Sequence, residues 1–520
     1  MNNFKNRLTN VKIMEITLLS IELAPSIGLR IIQQVLLDSG HEAKLIHIPM
    51  QRTDQEYIDN VANELKRLCK DDGLIGISCM ANTFISGSKL IKSLKRYLNI
   101  PIIMGGMHPT FRPEECLEYA DYICLLEGEY PMLQLVERLE KGERTDNIRN
   151  IWLKKDNKII RNKIREPIMD LNSLPIPCFD FKYLYVWHKN KILNLEKNPE
   201  AVRMFFIFFY NIISSKGCPF NCNYCGNNAL CNISPKSRII RKRSHEHILQ
   251  ELRLAKKRLG YFTLCFSDDE FVSRSLDDLK TFFEKYKKEI NLPFYCAGAP
   301  TSITEDKIKV LIDSGMRRLQ IGIQSINEQV NKNVYGRPIT KKQIINMLEI
   351  ITKYRYKFTV VFDVILDNPW EKDETRIETL KFLFTLKKPY QIWLYSIVFY
   401  PGTEFYKRAK KEGLIKNEIN EVYDKSFLAL QNSSINSLYL LFIKYGFPKS
   451  LINLLLFLRK FGPIESLLQR STYFLLHLQF YLEGFKNSLI RRDINLFFEY
   501  LLAPARFITV KLEGKKRTNV

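Results

Sequence analysis

The apolar positions of this chain fall into two long stretches in which strand-length runs alternate with helical patterns. In the first stretch, Val11–Leu19, Lys44–Ile48, Leu74–Cys79, Ile102–Met104 and Tyr122–Leu126 read as strands. Between them, Leu29–Ser39, Gln55–Lys70, Ser86–Tyr97 and Pro131–Lys141 carry apolar residues at helical spacing. This alternation predicts an α/β fold with a doubly wound parallel sheet, whose ligands sit at the carboxyl ends of the strands. Ile151–Arg165, with Lys-Lys-Asp-Asn-Lys at its centre, predicts a hairpin, and Asp170–Asp180, with Pro175 and Pro177, an extended linker. The alternation then resumes with Ile212–Ser215, Phe262–Phe266, Phe294–Ala297, Arg318–Ile323, Phe358–Ile365 and Gln391–Phe399. Six such repeats predict a partial barrel of the (βα)8 type, with its chemistry at the C-terminal ends of the strands. Beyond residue 416 the spacing is helical, punctuated by Gly446, Pro448, Gly462 and Pro463. The expected division is 1–145, 146–203 (hairpin and linker), 204–415 (barrel) and 416–520 (helical).

Composition adds limits more than direction. The 520 residues are 46% hydrophobic and 26% charged, as in an ordinary globular protein. Lys and Arg outnumber Asp and Glu by 79 to 56, a net charge of +23 spread along the chain. A solvated basic surface accounts for that plainly; anionic substrates, nucleic acid or an anionic membrane face are the sharper alternatives. The 11 cysteines are odd in number and Met1–Asn10 is polar, which favours a reducing cytoplasm over a secreted disulfide framework. No apolar run reaches membrane-spanning length; Met204–Ile213 and the Leu-rich patches after Ser437 are too short or too interrupted by charge.

Gly217-Cys-Pro-Phe-Asn-Cys-Asn-Tyr-Cys225 places Cys218, Cys222 and Cys225 in a C-x3-C-x2-C run. Three thiolates from one tight loop can hold three irons of a cubane and leave the fourth open, unlike the four-cysteine electron-transfer clusters. Gly217 permits a close approach, Pro219 stiffens the turn, and Tyr224 offers an aromatic face beside the cluster. The alternative is zinc, with Cys231 as a fourth ligand, although zinc sites favour paired knuckles.

The loop resembles the signature of the radical S-adenosylmethionine (SAM) superfamily. That resemblance implies a [4Fe–4S] cluster on Cys218, Cys222 and Cys225, with SAM on the open iron and Tyr224 beside it. Further segments resemble the superfamily in order. Phe266-Ser267-Asp268-Asp269-Glu270-Phe271 ends the second strand, where polar groups would receive the SAM amino group. Gln324-Ser325 resembles a ribose-facing Glu-Ser. Asp367-Asn-Pro369-Trp-Glu371 resembles a Gly-x-Pro-x-Glu loop near adenine, with Asp367 in place of Gly. Tyr400-Pro-Gly-Thr403 matches a late Pro-Gly-Thr turn. The first stretch resembles a cobalamin-binding domain: Ser26 and Gly28 in the first loop, Ser78 after the third strand, Gly105 and Gly106 after the fourth, and Glu127 and Gly128 after the fifth. The cobalt-ligating His of methionine synthase falls on Pro25, and its Asp on Leu23, so the resemblance implies no histidine below the cobalt. His108 and His41 are conceivable ligands, though each is read rather as a solvent-facing or structural histidine. The region after the first strand has no G-x-G-x-x-G, which argues against a dinucleotide.

What the resemblance implies is a radical SAM enzyme that uses a [4Fe–4S] cluster, SAM and cobalamin. A 5′-deoxyadenosyl radical would activate an unactivated carbon, with methyl transfer the simplest outcome. Cobalamin-dependent ring formation or rearrangement is the alternative. A methylthiotransferase acting on nucleic acid, with a second cluster drawn from Cys69, Cys79, Cys116 and Cys124, and a non-catalytic cobalamin sensor are two further readings. The expected partners are a small-molecule or lipid-like substrate and a reductant such as flavodoxin or ferredoxin. Ser437–Glu499, rich in Leu, Phe and Tyr with interspersed Lys444, Lys449, Arg459, Lys460, Arg491 and Arg492, reads as a helical cap, or as an interfacial platform at an anionic membrane.

Overall fold

The computed structural model describes residues 14–50, 54–206, 209–260 and 263–491. Val11–Ile13, Phe262 and the segment from Arg492 onward, which entered the sequence reading, lie outside the described residues.

Five parallel strands build the first sheet: β1 (Glu15–Ser20), β2 (Glu42–His47), β3 (Leu74–Ser78), β4 (Ile102–Gly105) and β5 (Tyr122–Cys124). They lie in the order β5-β4-β3-β1-β2, with the order reversing between β1 and β3. The strands are buried almost throughout, as a parallel sheet covered by helices on both faces requires. Two antiparallel hairpins widen it to nine strands. One is β6 (Ile151–Lys155) with β7 (Lys158–Arg161), beside β5; the other is β8 (Leu184–His188) with β9 (Lys191–Asn194), β8 lying parallel beside β2. Asp156-Asn157 and Lys189-Asn190 turn the two hairpins with positive φ at both positions, the backbone twist that matches two-residue hairpins. The segment 146–203 therefore completes the first sheet on both edges, where the sequence reading expected one hairpin and a linker.

Six parallel strands form the second sheet in chain order: β10 (Tyr210–Ile212), then β13 (Leu264–Phe266), β14 (Phe294–Gly298), β15 (Met316–Gln324), β16 (Thr359–Leu366) and β17 (Gln391–Ser396). A two-stranded antiparallel pair, β11 (Ser215–Lys216) with β12 (Arg241–Lys242), closes the long loop after β10. Along β15 and β17, Leu319, Ile321, Ile323, Ile392 and Leu394 are buried against the outer helices, while Arg318, Gln320, Gly322, Trp393 and Tyr395 alternate with them and are half-exposed to the barrel interior. Helices Ser434–Ile443, Lys449–Leu458 and Gly462–Arg491 follow the barrel. Among the described residues, no helix is long and apolar enough to cross a membrane.

Candidate active site

The cysteine loop leaves β11 and ends at Cys225, the N-cap of helix Gly226–Ile233. A thiolate there faces the positive end of the helix. Gly217 has φ +105°, and a Cβ would lie 2.4 Å from the Ile239 carbonyl oxygen, so no other residue fits that turn. Asn223 fastens the middle of the loop: its N–H donates to Tyr335 O (2.9 Å), its Nδ2 to Val334 O (2.8 Å), and its own carbonyl accepts from Phe405 N (3.1 Å). Gly336 (φ +66°) allows this approach, since a Cβ would meet Asn221 O at 2.7 Å.

Burial pushes the Cys218 thiol up to about 12 and raises Cys222 and Cys225 as well; Arg337 partly opposes the shift at Cys222. Without metal the loop holds its protons, so loading it must release them. Among the described residues, no three His, Cys, Asp or Glu side chains converge on a single ion, with or without Cys231. Three free, half-buried cysteines on one loop suit a cubane whose fourth iron is left open. The donor set fits the cluster.

At the ends of β13 and β15 the predicted contacts divide. Both oxygens of Asp268 are taken: it accepts from Ser214 N (3.3 Å), Ser214 Oγ (2.8 Å) and Ser215 Oγ (2.5 Å). Buried in that way, Asp268 anchors the base of the loop, which corrects its reading as a cofactor contact. Asp269 accepts from Gly217 N (3.2 Å) and Asn227 Nδ2 (2.6 Å) while remaining open to solvent. Ser267 is exposed and donates to Asn211 Oδ1 (2.9 Å). Gln324 has φ +65° beside a break in the β15–β16 register, and its Oε1 is buried without a partner. Ser325 turns away: its hydroxyl donates to Glu371 Oε1 (3.1 Å), so its reading as a ribose contact is also corrected. Pro369 is exposed in the loop after β16. Tyr224 packs edge-on against Tyr335 (5.6 Å) and near Phe405 (6.2 Å), holding the loop to the barrel.

Two residues absent from the sequence reading, Arg337 and Asp363, complete the site together with Glu270 of the segment read for the SAM amino group. Arg337 is buried, donates to Gly322 O (3.1 Å), and has Tyr224, Cys222, Glu270 and Cys218 as its electrostatic neighbours. Glu270 accepts from Ser302 Oγ (2.8 Å), and burial raises it to about 7. Asp363, inside the barrel on β16, accepts from Gln320 Nε2 (2.8 Å); burial raises it to about 7, and its Oδ1 has no partner. The sequence signal available was a charge within a strand-like run, at Asp363, and a cation just past a glycine, at Arg337.

The second half of the site is a cleft of about 190 Å³ at the carboxyl ends of β1, β3, β4 and β5. Ser26, Gly28, Ser78, Gly105, Gly106, Glu127 and Gly128 all line it, so the seven predicted positions converge. It sits where the strand order reverses, the expected place for a ligand in an open α/β sheet. The cradle depends on missing side chains: a Cβ on Gly76 would lie 2.9 Å from Leu18 Cδ2, and one on Gly128 3.1 Å from Ile32 Cδ1. That narrow, glycine-floored slot fits the nucleotide tail of cobalamin. Ser26 caps helix Ile27–Asp38 (Leu29 N to Ser26 Oγ, 3.3 Å). Ser78 donates to Glu22 Oε1 (2.9 Å). Glu127 spends its carboxylate on Arg241 Nη1 (2.7 Å) and Ile168 N (2.7 Å), so it braces the cleft wall. No histidine lines the cleft among the described residues. His108 is wedged between Phe84 (4.2 Å) and Tyr423 (5.2 Å), and burial lowers it to about 3. His41 is buried just ahead of β2, at the opposite end of the strands. Cys69, Cys79, Cys116 and Cys124 are buried thiols raised by burial, set among apolar core residues; nothing about them suggests a second cluster.

The fold and the paired site define a cobalamin-dependent radical SAM enzyme. Family models agree: residues 22–136 match the B12 binding domain and residues 212–383 the radical SAM superfamily. The chain therefore belongs to the radical SAM superfamily members that carry a B12-binding domain, with a [4Fe–4S] cluster, SAM and cobalamin as cofactors. It is 24% identical over 384 residues to an uncharacterised methyltransferase, PH0819, of Pyrococcus horikoshii, covering 68% of this chain and 77% of that one. It is 28% identical over 215 residues to the anaerobic magnesium-protoporphyrin IX monomethyl ester cyclase of Synechocystis, covering 39% and 38%. The cobalamin-dependent SAM radical enzyme OxsB, solved with aqua-cobalamin and SAM bound, superposes with a TM-score of 0.64 at 16% identity, covering 98% of this chain and 82% of that one.

Proposed function

We propose that this enzyme methylates an unactivated carbon of a small-molecule or lipid-like substrate. The observation that carries the reading is Lys216. It lines the cobalamin cleft, pairs with Glu129 (3.1 Å), and is followed directly by Gly217-Cys218 of the cluster loop. One residue thus joins the two cofactor sites, as a reaction that uses both requires. The methyltransferase name of the Pyrococcus relative supports methyl transfer.

Once bound, the cofactors supply the electron that cleaves SAM and the methyl group that is transferred. The chain's own residues set the geometry for that chemistry. Cys218, Cys222 and Cys225 would hold three irons, and Arg337, Gln324 Oε1 and Glu270 would offer a cation, an acceptor and a near-neutral carboxyl to the polar end of SAM. Gln320, Asp363 and Tyr395 face the interior, where the substrate carbon has to sit. The glycine cradle around Gly76 and Gly128 fixes the corrin's tail. Positioning of this kind shortens the search among reactive geometries. A flavodoxin- or ferredoxin-like reductant and a reducing compartment complete the picture; nucleic acid has no role in it.

Two measurements test the proposal. Replacing Cys218, Cys222 or Cys225 with Ala is expected to lower iron from about four per chain towards zero, with cobalamin still bound. Anaerobic turnover with methyl-labelled SAM is expected to place label in the product. Formation of 5′-deoxyadenosine together with an unlabelled, cyclised or rearranged product would move the assignment to the ring-forming class.

A further inference from the structure

We propose that the C-terminal helices form a docking face for an anionic lipid bilayer, which brings the enzyme to its substrate. The proposal rests on the lipid-like substrate read above. Helix Lys449–Leu458 buries little of itself: only Ile452 is buried. Leu454 and Phe457 (58% exposed) stand one turn apart on it, and Phe461 is exposed in the bend that follows. Leu467 (67% exposed) and Phe474 (63% exposed) repeat the pattern on the next helix. Scattered apolar side chains need no explanation, but this many exposed Phe and Leu within residues 454–474 mark an interaction region.

Charge selects the occupant. Residues 434–476 hold five cations (Lys444, Lys449, Arg459, Lys460 and Arg470) and one carboxylate, Glu465. That carboxylate accepts from Ser434 Oγ (3.0 Å), and Arg459 pairs with Asp373 of the barrel (2.7 Å). Four cations are left beside the apolar stripes, with Lys460 held over the Phe457 ring (5.8 Å). Apolar residues interleaved with Lys and Arg fit headgroups and upper acyl chains. A second copy of this chain would bring the same positive charge against it.

Phe447 and Lys449 border a groove of about 820 Å³ whose floor includes Phe384, Ile392 and Trp393. Trp393 reaches into the barrel, where its ring and that of Tyr295 flank the Arg318 guanidinium (5.8 and 4.6 Å).

The test is sedimentation of the full chain with extruded vesicles. Binding to vesicles of phosphatidylglycerol and phosphatidylcholine in equal parts is expected, with little to phosphatidylcholine alone and a steep loss from 50 to 500 mM salt. Phe457→Glu with Phe461→Glu should abolish it, and Lys444→Gln, Lys449→Gln and Lys460→Gln together should weaken it about a hundredfold, at roughly fivefold per charge. Iron content, cobalamin absorbance and SAM cleavage should be unchanged in these variants, so failure here is separable from failure of the methyltransferase reading. The proposal is overturned by equal binding to both vesicle types or by no binding at all. It is equally overturned by a dimer in light scattering that Phe457→Glu with Phe461→Glu disperses.

Discussion

Asp363 and Glu270 are carboxyl groups that burial in the barrel holds at about 7. For Asp363 the folded chain keeps a proton that the unfolded chain releases near 3.8. Its contribution to stability is therefore fully present below that value and is lost as pH rises towards 7. Three units correspond to about 4 kcal/mol at most. Asp363→Asn keeps an acceptor for Gln320 and removes the titration. The stability difference between variant and parent should widen from pH 4 to pH 7 and then level off; a gap independent of pH would mean that Asp363 ionises freely. Residues of this kind show where the sequence runs out. The cysteine spacing and the small residues of the cleft were legible because chemistry and close approach dictate residue type at those positions. Asp268 and Ser325 were misread because the direction of a side chain at a strand end depends on its neighbours: Ser214 and Ser215 claim one, Glu371 the other. Arg337 was missed because it reaches the cluster loop only through the turn at Gly336.

At the scale of elements, the loop after β16 explains an oddity of the sequence. Asp367 stands where the resembling motif has Gly, and it adopts the left-handed conformation that Gly favours (φ +61°). That conformation costs a non-glycine residue about 1–2 kcal/mol. The side chain offsets it: Asp367 Oδ2 accepts from Gln431 N (2.9 Å) and Oδ1 from Asn436 Nδ2 (2.6 Å), tying helix Ser434–Ile443 to the barrel's functional end. Asp367→Gly should therefore relax the backbone yet release the helix, for a net loss of about 1–2 kcal/mol. Faster proteolysis within residues 424–433 would report the release, and an unchanged cleavage rate would show that packing alone holds the helix. Helical spacing beyond residue 416 was readable in the sequence; this tether was not, because it joins residues 64 and 69 positions apart. The hairpin of β8 and β9 was equally hidden, since its place in the first sheet is set by pairing with β2 far upstream.

The whole molecule works by holding two cofactor sites in one frame, and Gly402 sits at the joint. The turn at Tyr400–Thr403 starts helix Glu404–Lys411, whose Phe405 N–H donates to Asn223 of the cysteine loop (3.1 Å). On its other side a Cβ at Gly402 would lie 2.3 Å from Phe111 Cδ1. Phe111 ends the short helix Met107–Phe111, which begins just past Gly105 and Gly106 of the cobalamin cleft. The same junction is braced by Arg112 with Glu418 (2.8 Å), by Tyr423 with Glu115 (2.9 Å) and by the buried Arg241 with Glu127 (2.7 Å). Gly402→Ala meets two obstacles, the positive φ of +85° and the Phe111 ring, which together cost about 2–4 kcal/mol. The flanking ion pairs keep the halves attached, so the strain should appear as a displacement of cleft against cluster loop. Each cofactor binds through residues that Gly402 does not touch, so iron content and cobalamin retention should stay near those of the parent. Methyl transfer should fall well below SAM cleavage, because alignment between the sites governs the first and not the second. Adding Phe111→Ala to Gly402→Ala removes the clash but not the strain of the positive φ, so it should recover part of the stability without recovering coupling, since the ring that set the spacing is gone. If methyl transfer and SAM cleavage instead decline in parallel, Gly402 serves the cluster loop alone and the spacing between the sites is set elsewhere.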